Sequence, residues 1–201
     1  MLKKVFPWSQ RKDKLADFAA EAIKGERIIL RNKRIEDAED DYAWRTDEEL
    51  ARLDATKPLK MTFREFKSFS KDELGYKNPS AKRFALDTNE GRHIGNCMYY
   101  DIDERRGQTE LGIMVGDRDY WDNGYGTEAV DAMLAHIFTH TSIDRVYLHT
   151  LEWNARARRS FVKSGFREVE RVRRSGKDFV LMEVLRFEWE ARQGVGDQTD
   201  T

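Results

Sequence analysis

The chain has 201 residues, 39% hydrophobic and 36% charged, with a net charge of −1 at pH 7, which suits one well-cored domain and is short for two. It contains no apolar run long enough to span a bilayer, and its first residues, MLKKVFPWSQ, lack the apolar core and small-residue cleavage site of a secretory signal, so a cytoplasmic protein without membrane association is expected. The balanced charge argues against a nucleic-acid binder, and a single cysteine, Cys97 in IGNCMYY, excludes an internal disulfide and a cysteine-built metal centre; it reads as a small buried hydrophobe, and no metal is expected.

Residues 12–24 (KDKLADFAAEAIK) carry helical spacing ended by Gly25, and 27–31 (RIILR) read as a strand. Helical spacing returns over 35–53 and 63–74, joined by a linker containing Pro58 and closed near Gly75. Three strands follow at 83–88, 93–102 and 109–115, separated by the turn formers Asn89-Glu90-Gly91 and Arg105-Arg106-Gly107. A helix over 124–139 presents Val130, Met133, Leu134 and Ile137 on one face. Then come a strand at 145–151, a helix at 155–163, and a hairpin of 166–173 with 179–189 across Ser175-Gly176. FVLMEVLRF within that hairpin is apolar on both faces, as a strand between two layers should be. The order predicts an α/β domain with a mixed, mostly antiparallel central sheet of about seven strands and helices on both faces. Its expected limits are 26–190, after an N-terminal helical extension (1–25) and before a disordered tail (191–201) ending in GVGDQTDT.

The stretch YWDNGYGTEAVDAMLAHIF (120–138) holds two glycines just before the longest amphipathic helix. GYGTEA fits a dinucleotide fingerprint only formally, because GDRDYWDN separates it from the preceding strand, and no Lys-Ser or Lys-Thr follows to make a Walker loop. Two readings remain: a helix N-terminus whose backbone N–H groups converge on an anion such as a pyrophosphate, or a plain glycine turn. Charge is segregated along the chain. IEDAEDDYAWRTDEELARLD (35–54) is acidic, with only Arg45 and Arg52 in opposition, whereas 156–177 is basic and includes Arg156, Arg158, Arg159 and Lys163. Such segregation suits one polyanionic and one cationic ligand, or simply solvated faces.

The element order, ELGIMVGDRDYWDNGYGTEAVDAML and the later NARARRSFVKSGF together resemble the GNAT acetyltransferase superfamily, most closely its ribosomal-protein-alanine and polyamine N-acetyltransferase branch, over about 27–189. In the superfamily's cofactor motif an Arg or Gln is followed by two glycine positions; here Trp121, Gly124 and Gly126 take those places. Asn154, Lys163, Gly165 and Phe166 match its second segment. The resemblance implies acetyl-CoA as the acyl donor. Its pyrophosphate would lie on the turn formed by Trp121, Asp122, Asn123, Gly124, Tyr125, Gly126 and Thr127. Its pantetheine arm would pair with the backbone of Ile113, Met114 and Val115 and meet Asn154. Arg158 would approach the 3′-phosphate, and Phe161 would adjoin the thiol.

The resemblance further implies direct attack by an amine on the thioester, with proximity, proton removal and carbonyl polarisation supplied by the protein. Met114 N–H is the candidate polariser. Glu110, sharing strand parity with Gly112 and Met114, is either the base or a residue that orients the acceptor, and His149 is either a helper in proton movement or a packed side chain. Phe161 stands where many members carry a proton-donating tyrosine, leaving water or Ser160 to protonate the thiolate. The two early helices would wall the acceptor side, so the acidic stretch suggests a cationic amine: a protein N-terminus, a polyamine or an aminoglycoside-like compound. Tyr42, Trp44, Phe63 and Phe66 would line that pocket or belong to the core. A monomer or homodimer is expected, and a noncatalytic acyl-CoA-binding or interaction module is the alternative.

Overall fold

The computed structural model describes residues 22–76 and 78–196 and builds them around one eight-stranded sheet, in the order β1-β2-β3-β4-β5-β6-β8-β7. The strands are β1 (Ile23–Lys24), β2 (Ile28–Asn32), β3 (Ala81–Thr88), β4 (His93–Asp103), β5 (Gln108–Val115), β6 (Arg145–Leu151), β7 (Arg167–Arg174) and β8 (Lys177–Leu185). The helices among the described residues are α1 (Ala38–Thr46), α2 (Glu48–Leu53), α3 (Phe63–Gly75), α4 (Tyr125–His140), α5 (Ala155–Lys163) and α6 (Arg186–Gly196).

The core forms where α4 lies on the sheet. Its stripe of Val130, Met133, Leu134 and Ile137 is fully buried against Leu30, Leu86, Ile94, Leu111, Val146 and Leu148, and each such side chain contributes about 1.5–3 kcal/mol by leaving water. Cys97 lies in this core, and burial pushes its thiol up to about 12, which removes it from nucleophilic chemistry. Trp44 is also core, with its ring 4.9 Å from that of His93.

Several boundaries differ from the sequence expectation. The stretch 35–53 is not one helix: after a short 3₁₀ turn, α1 ends at Thr46 and α2 begins at Glu48, because Asp47 takes an extended conformation and its carboxylate accepts the Leu50 N–H. Of the helix expected over 12–24, residues 12–21 lie outside the described residues, and Ile23 and Lys24 instead form β1, pairing with Leu30 and Ile29; this added strand raises the count among the described residues to eight. The last strand stops at Leu185, and α6 occupies part of the segment expected to be tail. There the Leu185 N–H is capped by Glu188, Arg186 donates to the carbonyls of Thr141 and Ile143, and Trp189 packs on Phe138 with ring centroids 5.6 Å apart.

The feature that positions the site is an incomplete pairing. β4 runs alongside β5 to its end, with Gly95 opposite Val115, but β5 and β6, which are parallel, pair only at Gln108, Thr109 and Glu110 with Arg145, Val146 and Tyr147. Beyond Glu110 the two strands diverge, while β6 stays paired with β8 as far as Leu151.

Candidate active site

Glu110 sits at the apex of this splay, buried, with its carboxylate 2.8 Å from Nδ1 of His149 on β6. Tyr100 stands opposite Glu110 across the β4–β5 pair; burial, reinforced by that carboxylate, pushes its phenol well above the usual range and keeps it protonated. From the tip of the β7–β8 hairpin, Arg174 brings Nη1 to 3.4 Å from the same His149 nitrogen. The shorter contact makes His149 Nδ1–H the donor to Glu110, with Arg174 a neighbouring positive charge. These groups open into a cleft of about 1830 Å³ lined by β3 to β6, α3, the 53–61 segment and the hairpin tip. Glu110 and His149 were candidates from sequence; Tyr100 and Arg174 were not, because their approach depends on cross-strand register and on the hairpin's curvature.

The parity of β5 corrects the proposed role of the Met114 amide. The Gly116 N–H bonds to Ile94 O and the β4–β5 register runs regularly back to Glu110, so the backbone groups of Met114, Gly112 and Glu110 face β4, Met114 opposite Asn96. The groups directed into the splay belong to Leu111, Ile113 and Val115. The Val115 carbonyl accepts the Trp121 indole N–H at 2.7 Å, which leaves the Ile113 and Val115 amides as the donors beside the reaction centre. On the side-chain level parity holds as expected, with Glu110 and Met114 on the face opposite core-packed Leu111, Ile113 and Val115.

The 121–127 turn has the geometry of an anion nest. Asp122 (φ 58°) and Gly124 (φ 85°) are both left-handed, and α4 begins directly afterwards, so the N–H groups of its first turn have no intrahelical acceptor. At the other end of the turn the Trp121 N–H is already bound, to Arg118 O. Arg27, which sequence reading passed over as part of a strand, braces the turn from outside. Its Nε donates to Glu128 at 2.9 Å and its Nη1 to Asn123 O at 3.0 Å, and its guanidinium lies 4.6 Å from the Tyr125 ring centroid. On the other side the Arg156 guanidinium stacks 3.6 Å above Trp121, placing a cation beside the nest.

The structure distributes the α5 candidates unevenly. Asn154 caps α5 by accepting the Ala157 N–H, and its Nδ2 has no partner among the described residues; Asn154 lines the cleft. Phe161 lines it as well, edge-on to Phe166 at 5.8 Å. Arg158 is committed to Glu168 and to Glu152 O, so Arg156 is the better-placed cation. Ser160 exchanges a hydrogen bond with Thr127 at 2.8 Å, tying α5 to the turn.

A family model described as the acetyltransferase (GNAT) domain matches residues 27–167. The chain belongs to the GNAT acetyltransferase family. An uncharacterised N-acetyltransferase, p20, of Bacillus licheniformis is 29% identical over 132 residues, 63% of this chain and 71% of p20. Among solved structures, spermidine N-acetyltransferase from Vibrio cholerae in complex with CoA and spermine superposes with a TM-score of 0.72 at 16% identity, covering 82% of this chain and 98% of that one. An aminoglycoside acetyltransferase in complex with coenzyme A gives 0.69 at 18% identity, covering 83% and 99%. At these identities the two superpositions establish a shared fold, and the family membership makes this protein an N-acetyltransferase.

In this GNAT domain the wall facing the acceptor side differs from the acidic surface expected. Asp41 pairs with Lys33 at 2.5 Å, Asp47 and Glu49 with Arg118 at 2.8 and 3.0 Å, and Asp54 with Arg45 at 3.1 Å. Asp37 lies behind that surface, bound to Arg31. Of the aromatic candidates, Phe66 lines the cleft, Tyr42 packs between it and Phe63 at 5.6 and 5.4 Å, and Trp44 is buried in the core.

Proposed function

We propose that this GNAT protein uses acetyl-CoA to acetylate a primary amine by direct attack, with Glu110 and His149 as the route for the amine's proton. The observation that carries this reading is the Glu110–His149 pair at the apex of the β5–β6 splay, next to unpaired strand-edge amides on the strand whose far end, Val115 O, holds the Trp121 indole of the anion nest. The residues present fit acetyl-CoA. The 122–127 amides and Arg156 suit its pyrophosphate, the β5 edge from Leu111 to Val115 offers a strand for its pantetheine amides, and Asn154 Nδ2 offers a further donor.

When bound, acetyl-CoA supplies an activated thioester carbonyl. An ammonium acceptor gives up two protons in all, one before and one after its nitrogen bonds to the acetyl carbon. Glu110, hydrogen-bonded to His149 and facing the protonated Tyr100 phenol, receives them in turn. One returns to the departing CoA sulfur and the other leaves to solvent. Phe161 cannot take part, but a thiol of pKa about 8.5 leaves readily as thiolate near neutrality. The Ile113 and Val115 N–H groups are aimed to polarise the carbonyl. The suggested preference for cationic acceptors drew on the acidic 35–54 stretch, and its support weakens because Asp41 and Asp54, the carboxylates of that stretch that line the cleft, are held in ion pairs, while Glu36, Glu39, Asp40 and Glu48, which have none among the described residues, are not among its lining.

The test is free-thiol release from acetyl-CoA across amines of different class. Glu110→Gln is expected to lower kcat by about 10²-fold or more, with the acetyl-CoA Kd unchanged. Wild-type turnover in a folded Glu110→Gln protein would remove Glu110 from the mechanism.

A further inference from the structure

We propose that the acceptor is an amine that also bears a carboxylate and an apolar side chain, that is, a free apolar α-amino acid. This rests on the acetyl-transfer reading and names the substrate class for the same site. The first observation is that the two ends of such a molecule have partners of opposite charge close to one imidazole nitrogen. Glu110 lies 2.8 Å and the Arg174 guanidinium 3.4 Å from His149 Nδ1. An ammonium and a carboxylate carried on one carbon are separated by a similarly short span, so the amine can face Glu110 while its carboxylate faces Arg174.

The second observation is the charge left over on the cleft wall. Asp41, Asp54 and Glu73 are spent on Lys33, Arg45 and Arg83, which leaves Asp72 and Glu110 as the lining carboxylates without a lysine or arginine partner among the described residues. Arg174, Lys57 and Lys82 line the same cleft with no carboxylate partner among the described residues. A polyamine would meet surplus positive charge there, whereas an amino-acid carboxylate would be drawn in.

The third observation is apolar. α3 buries none of its side chains, yet turns Phe66 and Phe69 into the cleft, with Tyr76 just beyond its end and Met98 on β4. Phe69 and Tyr76 are 54% and 71% exposed, more than fold stability requires of aromatic side chains, and they offer cover to an apolar substrate side chain.

The experiment compares thiol release for L-phenylalanine and L-methionine, their C-terminal amides, spermidine and N-acetylphenylalanine, in wild type, Arg174→Gln and Arg174→Lys. Wild type is expected to favour each amino acid over its amide by at least tenfold in kcat/KM. Arg174→Gln should cut the amino-acid value at least tenfold more than the amide value, and Arg174→Lys should restore part of the ratio. Preference for amides or spermidine in wild type, or equal loss on acids and amides in Arg174→Gln, overturns the proposal while acetyl transfer stands. Failure of every amine while acetyl-CoA still binds overturns the acetyl-transfer reading and this inference with it.

Discussion

Gly126 and Gly124 sit two residues apart at the start of α4, and the structure predicts opposite consequences for replacing them with alanine. Gly126 is the second residue of the helix, and an added Cβ would meet only Val115 Cγ2 at 3.5 Å, an ordinary contact. Alanine there removes backbone freedom from the unfolded chain and improves helix propensity, together worth up to about 1 kcal/mol, or about 2–4 °C in Tm for a domain of this size. The same methyl projects towards the Val115 side chain at the open end of β5, beside the nest amides. The affinity for acetyl-CoA should therefore fall at least tenfold, about 1.4 kcal/mol. Gly124 is left-handed, and alanine would be strained there by about 1–2 kcal/mol, with its Cβ 3.2 Å from Arg27 Nη2; its Tm should drop. Thermal melts paired with calorimetric titration of CoA separate the effects. A Gly126→Ala protein that melts higher and binds CoA as tightly as wild type would show that this face of the turn holds no pyrophosphate.

Two further perturbations test the surrounding scaffold. Arg156→Ala removes the guanidinium stacked on Trp121, and the acetyl-CoA Kd is expected to rise several-fold with a shallower dependence on salt, measured by titration at two ionic strengths; an unchanged salt slope would place Arg156 outside the site. Asp37→Asn strips a buried partner from Arg31, which also bonds Asp87, and should cost about 3 kcal/mol in urea unfolding. Burial pushes both Asp37 and Asp41 up, but hydrogen bonds from Arg31 and the Arg34 amide to Asp37, and from His93, Lys33 and Asn96 to Asp41, outweigh it and leave both carboxylates below their usual range. Their stabilisation is present above the ordinary aspartate pKa and is lost as pH falls through the depressed values. Wild type should accordingly lose Tm steeply in acid, and Asp37→Asn less so; parallel acid profiles would contradict this.

How far the sequence could be read depended on whether a feature was local. The α4 stripe and the turns at Gly91 and Gly107 are written in adjacent residues, and all appear as expected. The break at Asp47 was hidden because the apolar spacing continues across it, while one carboxylate capping Leu50 decides the conformation. Met114 was misjudged as a donor because side-chain parity says which face a residue occupies, and only the partner strand says which edge its amide addresses. Counting charges within 35–54 exaggerated the acidity of the acceptor wall, since two of the neutralising cations come from outside it, Lys33 just before the stretch and Arg118 about seventy positions on. Arg27 was invisible as a brace for the same reason, lying 96 positions from the carbonyl it holds.

The three rungs that join β5 to β6 have a mechanical consequence. Strands β1 to β5, with the acceptor wall, form one plate, and β6 to β8, with the hairpin tip that carries Arg174, form the other. Within the sheet they meet only at Gln108, Thr109 and Glu110, where Thr109 is fully buried and its hydroxyl is latched to Tyr100 O. With so short a seam, the gap between Val115 and Leu151 is set by what bridges it from outside the sheet: the core beneath α4, which takes residues from both plates, the Thr127–Ser160 hydrogen bond, and the Lys177 ammonium on Ala55 O. Width at the mouth of the cleft is therefore written in those contacts, and position at its root in the three rungs that hold Glu110.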